Sequence, residues 1–114
     1  MNILVFGGTG FVGINIAAAL LVRGHAVTVF DRGPLPRAAG EAFASFEDRF
    51  CVVNGDVTDT SAVEAIIAGG FDTIILGAAI TAGPAREAAD PRSILEVNLL
   101  AQIPVLTAAH RHDQ

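Results

Sequence analysis

The chain has 114 residues, of which 52% are apolar and 17% charged, with a mean hydropathy of +0.54. That length makes one domain burying roughly two thirds of its unfolded surface, and the composition excludes a disordered chain. The net charge is −5, and seven arginines scattered from Arg23 to Arg111, with no lysine, form no basic patch, so nucleic acid is not an expected partner.

Met1 and Asn2 lead directly into an apolar run, Ile3–Phe6, without a leader ahead of it. No run nears the roughly 18 apolar residues of a membrane span, since "IAAALLV" (16–22) is flanked by Asn15 and Arg23. The expectation is a cytoplasmic, soluble protein without a membrane partner. Three more runs, Ala26–Phe30, Phe50–Val53 and Thr73–Leu76, are likewise rich in Val, Ile or Phe and continuous. Such runs predict parallel strands covered on both faces.

Helical segments lie between them. The first spans about Gly10 to Arg23, with Gly24 as its stop. In the second connection "RGPLPRAAG" reads as loop and only Glu41–Arg49 as helix. A third helix starts after Asp59 or Thr60 as N-cap and runs to about Ala68, ahead of Gly69-Gly70. The last starts near Pro91 and runs to about Arg111, and Pro104 within it predicts a kink. Strands alternating with helices predict an α/β fold, a doubly wound parallel sheet with right-handed crossovers and strand order 3-2-1-4.

"GGTGFVG", residues 7–13, falls at the turn from the first strand into the first helix. It fits both G-x-G-x-x-G and, through Gly7, Gly10 and Gly13, G-x-x-G-x-x-G. Such a turn needs one residue without Cβ for tightness, one for close backbone approach to a pyrophosphate, and one for helix–strand packing. The helix-start amides then receive the diphosphate without a lysine. A P-loop is excluded, because no Gly-Lys-Ser/Thr follows.

Asp31 ends the second strand eighteen residues after Gly13, where a dinucleotide fold needs a carboxylate for the adenosine ribose hydroxyls. A carboxylate repels a 2′-phosphate, which favours NAD over NADP, although Arg32 can accommodate that phosphate. The alternative for Asp31 is a turn residue ahead of Gly33-Pro34. Asp56 in "NGDVTD" lies beside an adenine ring or is a turn or cap residue, and spacing does not separate the two. "GAAIT", 77–81, either lets a flat ring lie against backbone or is ordinary close packing. All four features fall at carboxyl ends of strands, where open α/β sheets bind ligands.

"GGTGFVG", "FDR", "GDVTD", "LGAAIT" and "VNLL", in that order, resemble the N-terminal half of an extended short-chain dehydrogenase/reductase. That family includes the NAD-dependent epimerases and dehydratases of nucleotide sugars. The resemblance spans the whole chain and implies a Rossmann fold. It also implies that Gly7, Gly10 and Gly13 form the phosphate loop, with Phe11 and Val12 giving backbone contacts to the pyrophosphate. Asp31 would bind the ribose and Arg32 lie beside the adenosine. Asp56 and Val57 would contact adenine, Ala78, Ala79 and Thr81 would line the cofactor's middle, and Asn98 would support the site from behind. A glycine usual in the family after that asparagine is missing, since Ala101, Gln102 and then Pro104 follow.

The family's Tyr-x-x-x-Lys pair follows the fifth strand, the tyrosine acting as general base and the lysine lowering its pKa. This chain has no tyrosine and no lysine. It stops where strand five is expected, so the reading is an incomplete NAD(P)-binding domain, 1–114, with no catalytic residue and no turnover by itself. The parent is expected to oxidise a sugar or nucleotide-sugar hydroxyl by hydride transfer to NAD. The rival is a noncatalytic NAD(P)-binding sensor. A flavin adenine dinucleotide domain shares the glycine turn but fits "GDVTD" and "LGAAIT" poorly. An uncovered fourth-strand edge predicts self-association.

Cys51, the one cysteine, reads as a small buried hydrophobe and rules out an internal disulfide. His110 and His112 fall on different helical faces without a ligand cluster, so no metal site is expected. His25 reads as solvent-facing, and Glu41, Glu47 and Asp48 as a solvated helix face. Ser61, Thr81 and Ser93 have no histidine at useful spacing for a hydrolase triad.

Overall fold

The computed structural model describes residues 1–80 and 83–114. Four strands, β1 (Asn2–Phe6), β2 (Ala26–Asp31), β3 (Phe50–Asn54) and β4 (Thr73–Leu76), pair in parallel in the order β3-β2-β1-β4. In register, Phe6 lies beside Phe30 and Leu76, and Phe30 beside Val53. The carboxyl ends of all four strands therefore reach one level.

The period-two alternation of β1 divides the core. Ile3 and Val5 pack with Ala17 and Leu21 of α1 (Phe11–Val22) and with Ala39 and Phe43 of α2 (Arg37–Phe43). Leu4 and Phe6 face the opposite side, against Val63 and Ile67 of α3 (Thr60–Ile67) and Val105 and Ala108 of α6 (Gln102–Arg111). Both faces of the sheet are thus covered, which is why the strands read as unbroken apolar runs.

Asp59 caps α3, its carboxylate accepting from the Ser61 and Ala62 amides at 3.1 and 3.2 Å. Gly24 ends α1 with φ +88°, its amide returning to Leu21 and that of His25 to Leu20. α2 begins after Pro36, earlier than the sequence predicts, and a 3₁₀ turn, Ala44–Phe46, follows it. Burial of Ala39 and Phe43, four residues apart, sets that start, and Phe43 packs edge-on against Phe50 at 4.7 Å.

The C-terminal helix is more broken than one kink. A short helix α4 (Pro84–Ala89), not predicted from the sequence, precedes α5 (Pro91–Leu95). A π-turn, Glu96–Leu100, then leads into α6. The irregularity falls ahead of Pro104, whose missing N–H leaves the preceding turn free to widen.

At the end of α6, Arg111 and His112 both reach Glu64 of α3, at 3.0 and 2.8 Å, while His110 is exposed. Two further expectations are corrected. Cys51 is exposed, because β3 is the outer strand and has a neighbour on one side only. His25 is half-buried rather than solvent-facing, with Nδ1 3.4 Å from the Met1 amine. Among the described residues no helix is long and apolar enough to cross a membrane, and no three metal-ligating side chains cluster.

Candidate dinucleotide site

A cleft of about 520 Å³ opens at the carboxyl ends of the strands, within the range of small-molecule sites. Its floor is the β1–α1 turn. Gly7 has φ +75°, and a Cβ there would meet the Gly77 carbonyl oxygen at 2.6 Å. A Cβ at Gly13 would collide with the Gly7 carbonyl oxygen and lie 2.6 Å from the Gly8 Cα. Both positions are glycine because the fold leaves no room for anything else.

Gly10 differs. Its backbone is extended, with φ −76° and ψ 169°, and a Cβ would meet nothing nearer than the Gly7 oxygen at 3.6 Å. The protein itself does not require glycine here. Gly10 is also the N-cap of α1, so the helix starts without a side-chain cap and without an acid in its first turn. Among the described residues, the Phe11, Val12 and Gly13 amides have no acceptor. Three unpaired N–H groups and the positive end of the helix dipole therefore face open space.

Asp31, Arg32, Asp56 and Val57 line one side of the cleft, and Ala78 and Ala79 the other, with Phe11 and Val12 at the floor. Asp31 works on the protein as well as facing the cleft. Its Oδ2 accepts from the Thr9 amide at 3.0 Å and its Oδ1 from the Gly33 amide at 3.2 Å. Burial pushes its pKa up, but the hydrogen bonds from Thr9 and Gly33 outweigh this and hold it below the ordinary carboxylate value. Each oxygen keeps a lone pair for a further donor. Asp56 also does turn work, accepting from the Thr58 amide at 2.9 Å and the Thr58 hydroxyl at 2.7 Å. Those two bonds, with a smaller contribution from the Arg32 charge, hold its pKa low against a modest burial effect. Both acids thus do turn work, and both line the cleft.

Asn98 does not line the cleft. It braces the wall from behind, its Oδ1 accepting from the Ile80 amide at 2.7 Å and its Nδ2 donating to the Ile80 carbonyl at 2.9 Å. Thr81 lies outside the described residues. Thr9, Phe30, Gly55 and Val97 reach the cleft without having been singled out in the sequence. Thr9 stood as a spacer between glycines, and Val97 as a neighbour of Asn98.

Residues 3–114 match the family described as NAD dependent epimerase/dehydratase. The chain belongs to this family. It is 44% identical over 79 residues to a 3-beta-hydroxysteroid dehydrogenase of Mycolicibacterium neoaurum, covering 69% of this chain and 19% of that protein. To a dTDP-glucose 4,6-dehydratase of Mycolicibacterium smegmatis it is 34% identical over 116 aligned positions, covering 99% of this chain and 34% of the relative. The structure of a Bifidobacterium longum UDP-glucose 4-epimerase, in complex with NAD+ and UDP, superposes with a TM-score of 0.84. It shares 26% identity, covering 99% of this chain and 34% of the epimerase. As a member of the epimerase/dehydratase family the chain thus spans between a fifth and about a third of the length of these relatives.

Proposed function

We propose that residues 1–114 bind NAD as the cofactor-holding part of an oxidoreductase or epimerase/dehydratase acting on a sugar or nucleotide-sugar hydroxyl. The observation that carries this is Gly10, a position that needs no glycine for packing yet fronts three amides without an acceptor. A cofactor diphosphate fits that cradle, because backbone N–H groups at a helix start bind anions without a lysine. Among the described residues, Arg32 is the one basic residue lining the cleft. The adenosine would then extend toward Asp31 and Asp56, and the nicotinamide toward 78–80. With no 2′-phosphate, NAD leaves Asp31 free to accept from both ribose hydroxyls, which favours it over NADP.

When bound, the cofactor supplies hydride transfer. Residues of this chain orient it, and with neither tyrosine nor lysine among them the proton-transferring pair would lie outside these 114 residues. We therefore place no catalytic residue here. Isothermal titration of the 114-residue chain should give saturable one-to-one NAD binding, tighter than NADP, without substrate turnover. A folded sample that takes up no NAD would remove the proposal.

The same reading treats β4 as a strand awaiting a neighbour. It is the outer strand on its side of the sheet, and Leu76 is 40% exposed. Self-association through this edge should raise the light-scattering mass with concentration, and a constant monomer mass would count against it.

A further inference from the structure

Beyond Leu76 the sheet ladder makes one last bond, from the Gly77 amide to the Phe6 carbonyl at 2.9 Å. Residues 78–80, the wall of the cleft, have no backbone–backbone hydrogen bond among the described residues. Two side-chain amides hold them instead. Asn98 brackets Ile80, and Gln102 Nε2 reaches the Ala78 carbonyl at 3.5 Å, the outer limit of a hydrogen bond.

The π-turn explains how Gln102 comes to be there. The Ala101 amide passes over Val97, its α-helical acceptor, and bonds the Glu96 carbonyl at 2.7 Å. That frees the Val97 carbonyl, and Gln102 Nε2 donates to it at 3.0 Å. One amide with two protons thereby ties two wall elements, Val97 of the π-turn and Ala78 after β4. Its base is rigid, because Ala101 and Val105 on either side of it are 4% and 1% exposed.

We propose that Gln102, through the carbonyls of Val97 and Ala78, is a positioning residue that sets the 78–80 wall against the nicotinamide half of the dinucleotide. This rests on the dinucleotide reading above. Gln102 touches no ligand itself, so its effect should fall on the far half of the cofactor only. AMP, held between Asp31, Asp56 and the α1 amides, should not feel it.

The test titrates NAD and AMP into the 114-residue chain and its variants. Gln102→Met, which keeps the bulk and loses the donor, should weaken NAD roughly tenfold and leave AMP within about twofold. Gln102→Glu, which offers the carbonyls an acceptor, should be worse than Met, and Gln102→Lys, which restores donors, should recover most of the NAD affinity. In the unaltered chain, the Gln102 side-chain NH₂ resonances should shift on adding NAD and stay put on adding AMP. Equal losses of NAD and AMP, no loss of either, or NH₂ shifts that are the same with both ligands would overturn the assignment. If the unaltered chain binds neither ligand, the dinucleotide reading falls first, which separates the two failures.

Discussion

Replacing Gly10 by alanine adds one methyl group at the point where the fold is indifferent and the proposed ligand is not. An ideal Cβ there meets only the Gly7 carbonyl oxygen, at an ordinary 3.6 Å, and the backbone angles of −76° and 169° suit any residue. As an N-cap, alanine is worse than glycine by about 0.5–1 kcal/mol. The stiffer unfolded chain returns about 0.4–1 kcal/mol, so the net stability change should stay below about 1 kcal/mol. Binding should respond differently, because the methyl group stands in the approach to the Phe11, Val12 and Gly13 amides. Losing one hydrogen bond to a charged phosphate costs about 1.5–3 kcal/mol, or roughly tenfold to a hundredfold in affinity. Gly13→Ala is the control, since its Cβ would drive into the backbone of Gly7 and Gly8, neither of which can swing aside. It should cost about 3 kcal/mol or more, a large share of a small domain's stability. Urea unfolding followed by circular dichroism and calorimetric titration with NAD measure both quantities. A Gly10→Ala chain that folds as before and binds NAD within twofold of the unaltered protein would refute the reasoning.

Asp31→Asn keeps one acceptor oxygen but removes the charge that opposes a 2′-phosphate, so the preference for NAD over NADP should shrink at least severalfold. A ratio unchanged in parallel titrations would count against Asp31 as the discriminating group. Burial raises the pKa of Asp31, but its hydrogen bonds lower it further. The bonds of Thr58 to Asp56, of His112 and Arg111 to Glu64, and of Ser93 to Asp90 likewise outweigh desolvation. All four carboxyls thus sit below their ordinary values of 3.8 for aspartate and 4.5 for glutamate. Folded values below unfolded ones mean that this stabilisation is present above those values and is lost as pH falls through the lower, folded ones. The urea midpoint should therefore hold from pH 7 to 5 and drop toward pH 3, and a midpoint rising over that last interval would contradict the sign. In the core, Ile67→Ala should cost about 2–5 kcal/mol, and Leu106→Ala, at a site 60% exposed, less than about 1 kcal/mol, both by urea unfolding. Equal costs would mean that α6 buries a different face.

The strands were legible because both faces of the sheet are covered, leaving continuous Val, Ile and Phe between glycine-rich turns. Thr73–Leu76 matches its sequence bounds, and the other three strands differ by one residue at one end. Strand order came from taking the alternation of strand and helix as a doubly wound sheet of the dinucleotide-binding type. α2 starts earlier than the sequence suggests because Gly40 and the two prolines before it mask the pair Ala39 and Phe43, which decides the start by burial in the core on that face of the sheet, Phe43 packing on Phe50 of β3. The π-turn was not legible at all. A proline announces that a helix must give way, but not whether it bends or widens, or on which side of the ring. The cleft's lining could be placed by counting from strand ends, since backbone position alone puts Gly7–Gly13, Asp31, Asp56 and Ala78 together. The bracing could be read only in part: the resemblance put Asn98 behind the site, but the grip of Gln102 on Val97 depends on a carbonyl that becomes free only once the helix has widened.

The double engagement of Asp31 bears on how readily this protein could change its nucleotide. A free aspartate is an easily exchanged label, and replacing it would cost the fold nothing. Here the same carboxylate stitches the Thr9 loop to the Gly33 corner, so the proposed recognition and the architecture share one side chain. Its aim is fixed at the moment of folding, and no rotamer freedom is surrendered when a ligand arrives. A switch toward the phosphorylated nucleotide would therefore need compensating changes at Thr9 or Gly33 as well, a two-step path whose first step weakens the loop that it must later refit.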